Sequence, residues 1–595
     1  MKTVLKYYKP YIPYIIFIVL FLFGQAMCEL ALPAYMSDII DEGIVKGNMP
    51  YIWRTGAIMI VISVGTLAFA MAGDFLAART AAKSSRDIRH ALFNKVTNFS
   101  AAELEEFSTA SLITRSTNDV QTVQQTTVML LRMAIFAPCM GIGSVVRALQ
   151  TSVSLSWTVG IALGAIVIIM AGSFFLVLPK FKVLQQKLDR MNLIMKERLS
   201  GMLVIRAFTT EKHEQKRFDI ANWDLTKLNL FVNKAMSFMM PLLMFVMNGV
   251  GILIVWAGAH LIEADKLMVG DMLAYLQYAM HVIMSFLFVT MIFIMIPRAA
   301  VSAQRIGAVL DVEPTITDPA EPAAFGEAEN AKGTQCEEKA CGMPRGLVEF
   351  KNVSFAYPDA EEKTLEDISF IAEPGKTTAI IGGTGSGKSS LIKLIPRFYD
   401  ASEGQVLVDG VDIREITQHD LRQQIGYIPQ KGVLFSGTIA SNLQYGDSDA
   451  TETEMMEALE TAQATAFIAE KANGLDEEIA QGGTNVSGGQ KQRLSIARAL
   501  VKKPKIYIFD DSFSALDFKT DKALRAALKE KVGDSTLIIV AQRINTILDA
   551  EQILVLEDGK LAGKGTHDEL METCEVYKEI ALSQLSEEEL ERGRK

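Results

Sequence analysis

The sequence predicts two structural classes joined in one chain. The first is an α-helical membrane domain of six transmembrane helices with long cytoplasmic extensions, and the second is an α/β P-loop domain. Three observations lead there: six apolar stretches precede residue 300, short β-branched runs alternate with helical segments after Leu347, and a glycine-rich loop ending in Gly-Lys-Ser follows one of those runs. At 595 residues the chain is too long for one compact domain, and 49% hydrophobic against 22% charged residues leaves room for both a lipid-facing and a solvated part.

The apolar stretches are Tyr11–Ala34, Thr55–Ala78, Thr126–Val146, Trp157–Leu178, Phe238–Leu261 and Met272–Ile296. Each holds about 20 residues or more, which at ~1.5 Å per residue reaches the ~30 Å hydrocarbon thickness of a bilayer. The first is too long for a removable signal peptide and lacks a small-residue cleavage site. Charge sets the orientation. Lys2, Lys6 and Lys9 precede the first stretch, Arg79, Lys83, Arg86, Arg89, Lys95 and Arg115 follow the second, and residues 180–235 are richer still. The alternate loops hold only Lys46, Arg54, Arg147 and Lys266. Positive charge stays inside, so both termini and the two long loops are cytoplasmic, in a cell (inner or plasma) membrane. Those loops repeat apolar residues every three to four positions (Ile88, Leu92, Val96; Leu188, Met191, Met195, Leu199), so the helices continue into the cytoplasm before turning back.

Charges within the stretches are Glu29, Asp74 and Arg132. Such groups face a bundle interior or substrate path, or else form a structural ion pair. Met236, Met239, Met240, Met244 and Met247, with Phe286, Phe288, Met291, Phe293 and Met295, either line an adaptable apolar cavity or pack against lipid.

Residues 1–310 form the transmembrane domain, with 28 Lys/Arg against 19 Asp/Glu, whereas the remainder carries 31 against 50. That acidic balance excludes nucleic acid as a general partner. Residues 311–346, rich in Pro, Ala, Glu and Gly, read as an acidic flexible linker. The five cysteines (Cys28, Cys139, Cys336, Cys341, Cys574) imply no disulfide framework, and Cys336 with Cys341 lack the further ligands a metal site needs.

Residues 347–595 form the nucleotide-binding domain. The strand Thr377–Ile381 runs into Gly382-Gly383-Thr384-Gly385-Ser386-Gly387-Lys388-Ser389 and a helix beginning near Ser390. This strand–loop–helix pattern lets backbone N–H groups curl around phosphate oxygens of ATP. Lys388 supplies the cation and Ser389 a hydroxyl ligand for Mg²⁺. A second apolar strand, Ile506–Phe509, ends in Asp510, a carboxylate placed to hold the same Mg²⁺. Between them, Val486-Ser487-Gly488-Gly489-Gln490 opens another helix and makes a second anion-binding surface. A chain with its own P-loop needs that surface only to close over a nucleotide bound elsewhere, which implies dimerisation.

With these motifs in order, the chain resembles the ABC transporter family, specifically exporter half-transporters with a six-helix membrane domain fused to an ABC ATPase domain. The likeness extends to Phe107–Arg115 with Asp119, and to Glu197–Gly201, Ile205, Phe208, Glu211 and Phe218, which look like the segments bearing the two coupling helices. It implies that Tyr357 stacks on adenine, that Gln430 senses Mg²⁺, that Val486–Gln490 is the signature acting on a partner's ATP, and that Ser514-Ala515-Leu516-Asp517 is the D-loop.

Three departures stand out. Where the family's catalytic glutamate is expected stands Asp511, one methylene shorter, which retracts the carboxylate by ~1.5 Å; misplacement on that scale costs ~10²-fold in rate. The switch-histidine position holds Gln542, which cannot relay a proton. Ala480-Gln481-Gly482-Gly483 replaces the usual Gly-Glu-Arg-Gly before the signature. The combination resembles the degenerate-site subunit of a bacterial heterodimeric multidrug exporter. It implies weak hydrolysis at this chain's own site, a partner with intact Glu and His, and a hydrophobic or amphipathic substrate. Alternatives are an ATP-gated channel or regulatory subunit, and a homodimeric lipid or peptide exporter. The roughly ten residues before the first stretch leave no space for a peptide-processing protease domain, and six spans exclude a soluble DNA-repair ATPase.

Overall fold

The computed structural model describes residues 2–323, 325, 345–358 and 360–584. Cys336, Cys341 and most of segment 311–346 lie outside the described residues, as do the side chains of Met236, Met240 and Phe293. Contacts divide the chain into two compact units, Met1–Thr97 with Ala110–Val312, and Asn98–Thr109 with Glu313–Lys595.

The first unit is built on six long helices: α1 (Ile12–Asp38), α2 (Met49–Thr97), α3 (Val120–Thr151), α4 (Ser156–Ser200), α5 (Glu211–Glu263) and α6 (Val269–Leu310). Each contains or overlaps a segment long and apolar enough to cross a membrane, the one in α4 being Val153–Gly172. The 49 residues of α2 and 53 of α5 span ~70–80 Å, more than twice a bilayer's hydrocarbon core, so these helices do continue past their apolar runs. Small residues bring α3 close to its neighbours: a Cβ on Gly143 would meet Leu30 of α1, and one on Gly141 would lie 2.6 Å from Ser285 Oγ of α6. Tyr275 and Tyr278 of α6 are wholly buried beside Leu30, Ile166 and Ile254, and the Tyr278 hydroxyl donates to Leu30 O at 3.2 Å. Met239, Met247 and Phe286 pack partly buried against this core, whereas Met244 and Met291 are exposed, so the Met/Phe-rich segments serve both surroundings.

Asp74 and Arg132 form a structural pair. Arg132 Nε and Nη2 each lie 2.6 Å from a different oxygen of the Asp74 carboxylate, bridging α2 and α3. Glu29 has no such partner among the described residues.

In the second unit the strands are β1 (Val348–Phe355), β2 (Leu365–Ala372), β3 (Thr377–Gly382), β4 (Glu403–Val408), β5 (Val411–Asp412), β6 (Ile425–Ile428), β7 (Gly437–Thr438), β8 (Glu478–Ile479), β9 (Ile506–Asp510), β10 (Thr536–Val540), β11 (Gln552–Glu557) and β12 (Lys560–Gly565). A six-stranded sheet runs β12-β11-β3-β10-β9-β6, parallel apart from β12. A four-stranded antiparallel sheet runs β2-β1-β4-β5, and β7 pairs with β8. The central strands alternate between two cores, as period-two side chains require. Ile380, Ile508, Ile538 and Val540 face the antiparallel sheet, while Ile381, Phe509, Ile539 and Ala541 face the helices on the other side. Three helices begin at the sequence motifs: α7 (Lys388–Leu394), α8 (Gly488–Val501) and α9 (Phe518–Lys531).

The short helix Ala101–Phe107 folds with this second unit. Ser100 and Glu103 form its capping box, Glu103 Oε1 accepts from Thr315 N at 2.9 Å, and Ala101 and Ala102 pack against the core under the antiparallel sheet.

An uncompensated Arg in a span costs ~2.5–3.5 kcal/mol. Asp74→Ala is therefore expected to lower the thermal midpoint of the detergent-solubilised protein, and the charge swap Asp74→Arg with Arg132→Asp to recover most of the loss.

Candidate nucleotide site

Parallel register brings the site together. Val540 pairs with Ile380 of β3 and with Asp510 of β9, while Ile428 of β6 pairs with Phe509. The four chain segments leaving these strand ends carry Gly382–Ser389, Gln430, Asp510 with Asp511, and Gln542. Ligand sites of α/β sheets lie outside the carboxyl ends of the strands for this reason.

The loop after β3 turns on glycines. Gly385 and Gly387 have φ of +86° and +92°, and a Cβ on Gly387 would lie 2.7 Å from Leu365 Cδ2. Its end opens α7, so free backbone N–H groups and the helix dipole face the loop's hollow. Lys388 Nζ folds back onto Gly382 O and Gly383 O, at 2.9 and 2.6 Å. Burial lowers its pKa from the usual lysine value, against the opposing pull of Asp511 and Asp510. Ser389 Oγ donates to Asp510 Oδ1 at 2.9 Å, and the Tyr427 hydroxyl donates to Oδ2 at 3.2 Å. A serine hydroxyl, an aspartate and the free Gln430 carbonyl form a hard-oxygen set that fits Mg²⁺. Among the described residues no three His, Cys, Asp or Glu cluster to hold a metal alone, so phosphate and water would complete its shell.

Asp511 follows in a left-handed conformation, φ +48°, a region in which Asp is enriched. It is 7% exposed, and its Oδ2 accepts two carboxamide bonds, from Gln430 Nε2 at 3.1 Å and from Gln542 Nε2 at 2.9 Å. Burial raises the pKa of this carboxyl and nearby Asp510 adds to the effect, while bonds from Gln430 and Ser514 and the Lys388 charge oppose it. Gln542 is itself clasped by a residue that sequence reasoning missed. Gln584, on the helix Glu575–Gln584, donates to Gln542 O and accepts from Ile544 N, both at 2.9 Å.

Tyr357 is half-buried. Its hydroxyl shares a 2.9 Å hydrogen bond with Ser390 of α7, and its ring meets Phe355 and Tyr399 edge-on. The segment Val486–Gln490 lies apart from these residues in its bonding. Ser487 caps α8 in a capping box with Gln490, and Ser487 and Gly488 are exposed. In the altered segment 480–483, Gly482 and Gly483 both take positive φ, +66° and +65°. Of Ser514–Asp517, Ser514 Oγ donates to Asp511 O at 2.8 Å, Leu516 is buried, Ala515 is exposed, and Asp517 caps α9 through Thr520.

A fused membrane bundle and P-loop sheet of this kind define an ABC-type transport ATPase subunit, and comparison with known proteins agrees. Residues 15–286 match the ABC transporter transmembrane region and residues 365–514 the ABC transporter ATPase family. The chain is 38% identical over 591 residues to the uncharacterized ABC transporter ATP-binding protein YfiB of Bacillus subtilis, covering 99% of each. It is 38% identical over 585 residues to an uncharacterized ABC transporter ATP-binding protein of Mycobacterium tuberculosis, covering 97% of each. It is 30% identical to the ATP-dependent lipid A-core flippase of Desulfotalea psychrophila, covering 96% of this chain and 97% of that one. The structure of a bacterial Atm1-family ABC exporter with ATP bound superposes with TM-score 0.77 at 24% identity, covering 97% of this chain and 98% of that one, which shows the shared fold. The chain belongs to the ABC transporter family: it is a multi-pass membrane, ATP-hydrolysing half-transporter with an exporter fold.

Removing the Ser389 hydroxyl takes one oxygen from the metal position but none from the phosphate cradle. Ser389→Ala is expected to weaken Mg-ATP binding about tenfold, the order of one lost polar contact, and to leave ATP binding in EDTA unchanged. Nucleotide titration of the purified protein with and without Mg²⁺ checks this.

Proposed function

We propose that this chain is the degenerate-site subunit of a heterodimeric exporter, moving hydrophobic or amphipathic compounds across the cell membrane by alternating access, with its ATPase unit in the cytoplasm. One observation carries the reading: the acid at the catalytic-base position, Asp511, is one methylene short, and its Oδ2 is drawn to both Gln430 and Gln542. A general base must come within hydrogen-bond reach of the water it deprotonates, and a shorter acid held by two amides reaches less far. Two uncharged amides also leave nothing to contact the γ-phosphate with a transferable proton. In this reading Tyr357, the Gly382–Ser390 loop, Gln430 and Asp510 hold Mg-ATP. The signature Val486–Gln490, exposed at Ser487 and Gly488, completes a competent site on the partner, which has intact Glu and His.

Dimerisation has further support in the first unit. Helices α4 and α5 pack chiefly on each other, and the short helix Met202–Ala207 between them exposes Leu203, Val204 and then Phe208. Apolar residues so exposed suit a partner subunit's surface. The lipid substrate class draws on the 30% identical relative named as a lipid A-core flippase, together with the apolar spans.

An intact signature also allows a homodimer with two slow sites, and turnover separates the two assemblies. The chain purified alone is expected to hydrolyse ATP ~10²-fold more slowly than the complex isolated with its native partner, and comparable rates would overturn the degenerate-site reading. In the complex, with the partner's catalytic glutamate replaced by Gln, Asp511→Glu with Gln542→His is expected to raise residual hydrolysis ~10²-fold. Single-turnover release of labelled phosphate measures it.

A further inference from the structure

From the geometry around Tyr399 we infer that this residue is a positioning residue that ties the nucleotide-base platform to the short helix Ala101–Phe107. The inference rests on the reading of Tyr357 as that platform and goes beyond it.

Tyr399 is 4% exposed and touches both sides. Its hydroxyl donates to Glu105 Oε1 of the short helix at 3.0 Å. Its ring lies 5.2 Å from the Tyr357 ring at 83°, and 5.5 Å from Phe355. Edge-to-face rings at these distances attract, and movement of one is resisted by the others. The turn that carries Tyr399 is held in turn: Arg397, at φ +53°, pairs with Asp400 through Nε at 2.8 Å and Nη2 at 3.2 Å, and its carbonyl accepts from Arg422. Tyr399 therefore cannot swing without breaking contacts on either side.

The short helix packs Ala101 and Ala102 against the core and has two polar anchors. Glu103 bonds to Thr315 N and caps the helix start, contacts with no link to the nucleotide side. Glu105 is exposed, and its bond to Tyr399 is a directional link from the helix to the ring that meets the platform. A base stacked on Tyr357 would restrict that ring, which bears edge-on on Tyr399 and keeps its hydroxyl aimed at Glu105. Binding of the base thereby stiffens the helix that lies between the first unit's α2 and α3 in the sequence.

The test is hydrogen exchange of residues 101–107 in the full chain in lipid nanodiscs, with and without Mg-ATP, with nucleotide binding measured in parallel. In the unaltered protein Mg-ATP is expected to slow exchange of this helix about tenfold, the order of one hydrogen bond to a carboxylate. Tyr399→Phe keeps the rings and loses the hydroxyl, so it is expected to bind ATP within about twofold of the unaltered protein while losing that protection. Glu105→Ala is expected to do the same from a surface position that does not threaten folding. Glu105→Gln, which keeps an acceptor oxygen, is expected to retain most of the response. If both Tyr399→Phe and Glu105→Ala bind ATP and still slow exchange as the parent does, the coupling is refuted while the site reading stands. If the unaltered chain binds no Mg-ATP, the site reading itself fails.

Discussion

The in-register parallel pairing of β3, β10, β9 and β6 is the constraint from which the chemistry of this chain follows. It places four separate sequence segments, more than 150 residues apart at the extremes, at one edge of one sheet. Backbone bonds lock the arrangement just beyond the strands: Asp511 N donates to Val540 O at 3.0 Å, and Ser512 Oγ to Ile428 O at 3.1 Å. A one-residue slip of β10 would move Gln542 away from Asp511 and exchange the two cores, since Ile538 and Ile539 face opposite sides. Stability of the sheet and geometry of the site are thus one property.

Within that frame, Asp511 illustrates how a buried acid can be built into a well-satisfied cluster. A buried carboxylate with no partner would be costly, and two amide donors with a nearby ammonium relieve that cost. The left-handed backbone at 511 suits Asp better than a longer acid. The shortened side chain, the backbone and the glutamine at 542 therefore support one another, and Gln584 holds that glutamine's backbone in place. A substitution at any one of these positions would therefore disturb the bonds of the others.

Much of this was legible in the sequence, and physical reasons separate what was from what was not. Six spans follow from hydropathy because lipid imposes the same length on every helix, and α2 and α4 continue as their apolar spacing indicated. The loop Gly382–Ser389 and strand ending at Asp510 carry patterns that only one backbone arrangement serves. The antiparallel sheet β2-β1-β4-β5 was not anticipated, because β1 pairs with β4 about 50 residues further on, across the P-loop and α7, and no local pattern marks that partnership. The bonds from Tyr399 to Glu105 and from Gln584 to Gln542 bridge 294 and 42 residues and have no local signal. Asp74 and Arg132 could be named as unusual from sequence, but their partnership needs the packing of α2 on α3.

The two units also solve different packing problems with different residues, which bears on where motion is transmitted. The membrane bundle gains close approach from glycines such as Gly143 around a largely apolar core, with a few directional ties between helices such as Arg132–Asp74 and Tyr278–Leu30. The ATPase unit is fastened around its site by directional bonds: capping boxes at Ser100 and Ser487, the Arg397–Asp400 turn and the amides on Asp511. Directional contacts hold discrete arrangements and lose much of their energy when misaligned, whereas apolar ones vary smoothly with distance. A nucleotide-driven change is therefore best received by the bonded unit and passed on through an element rooted in it. The short helix Ala101–Phe107 meets that description, since Glu103 and Glu105 fasten it within the ATPase unit while the chain at both its ends continues into membrane-unit helices.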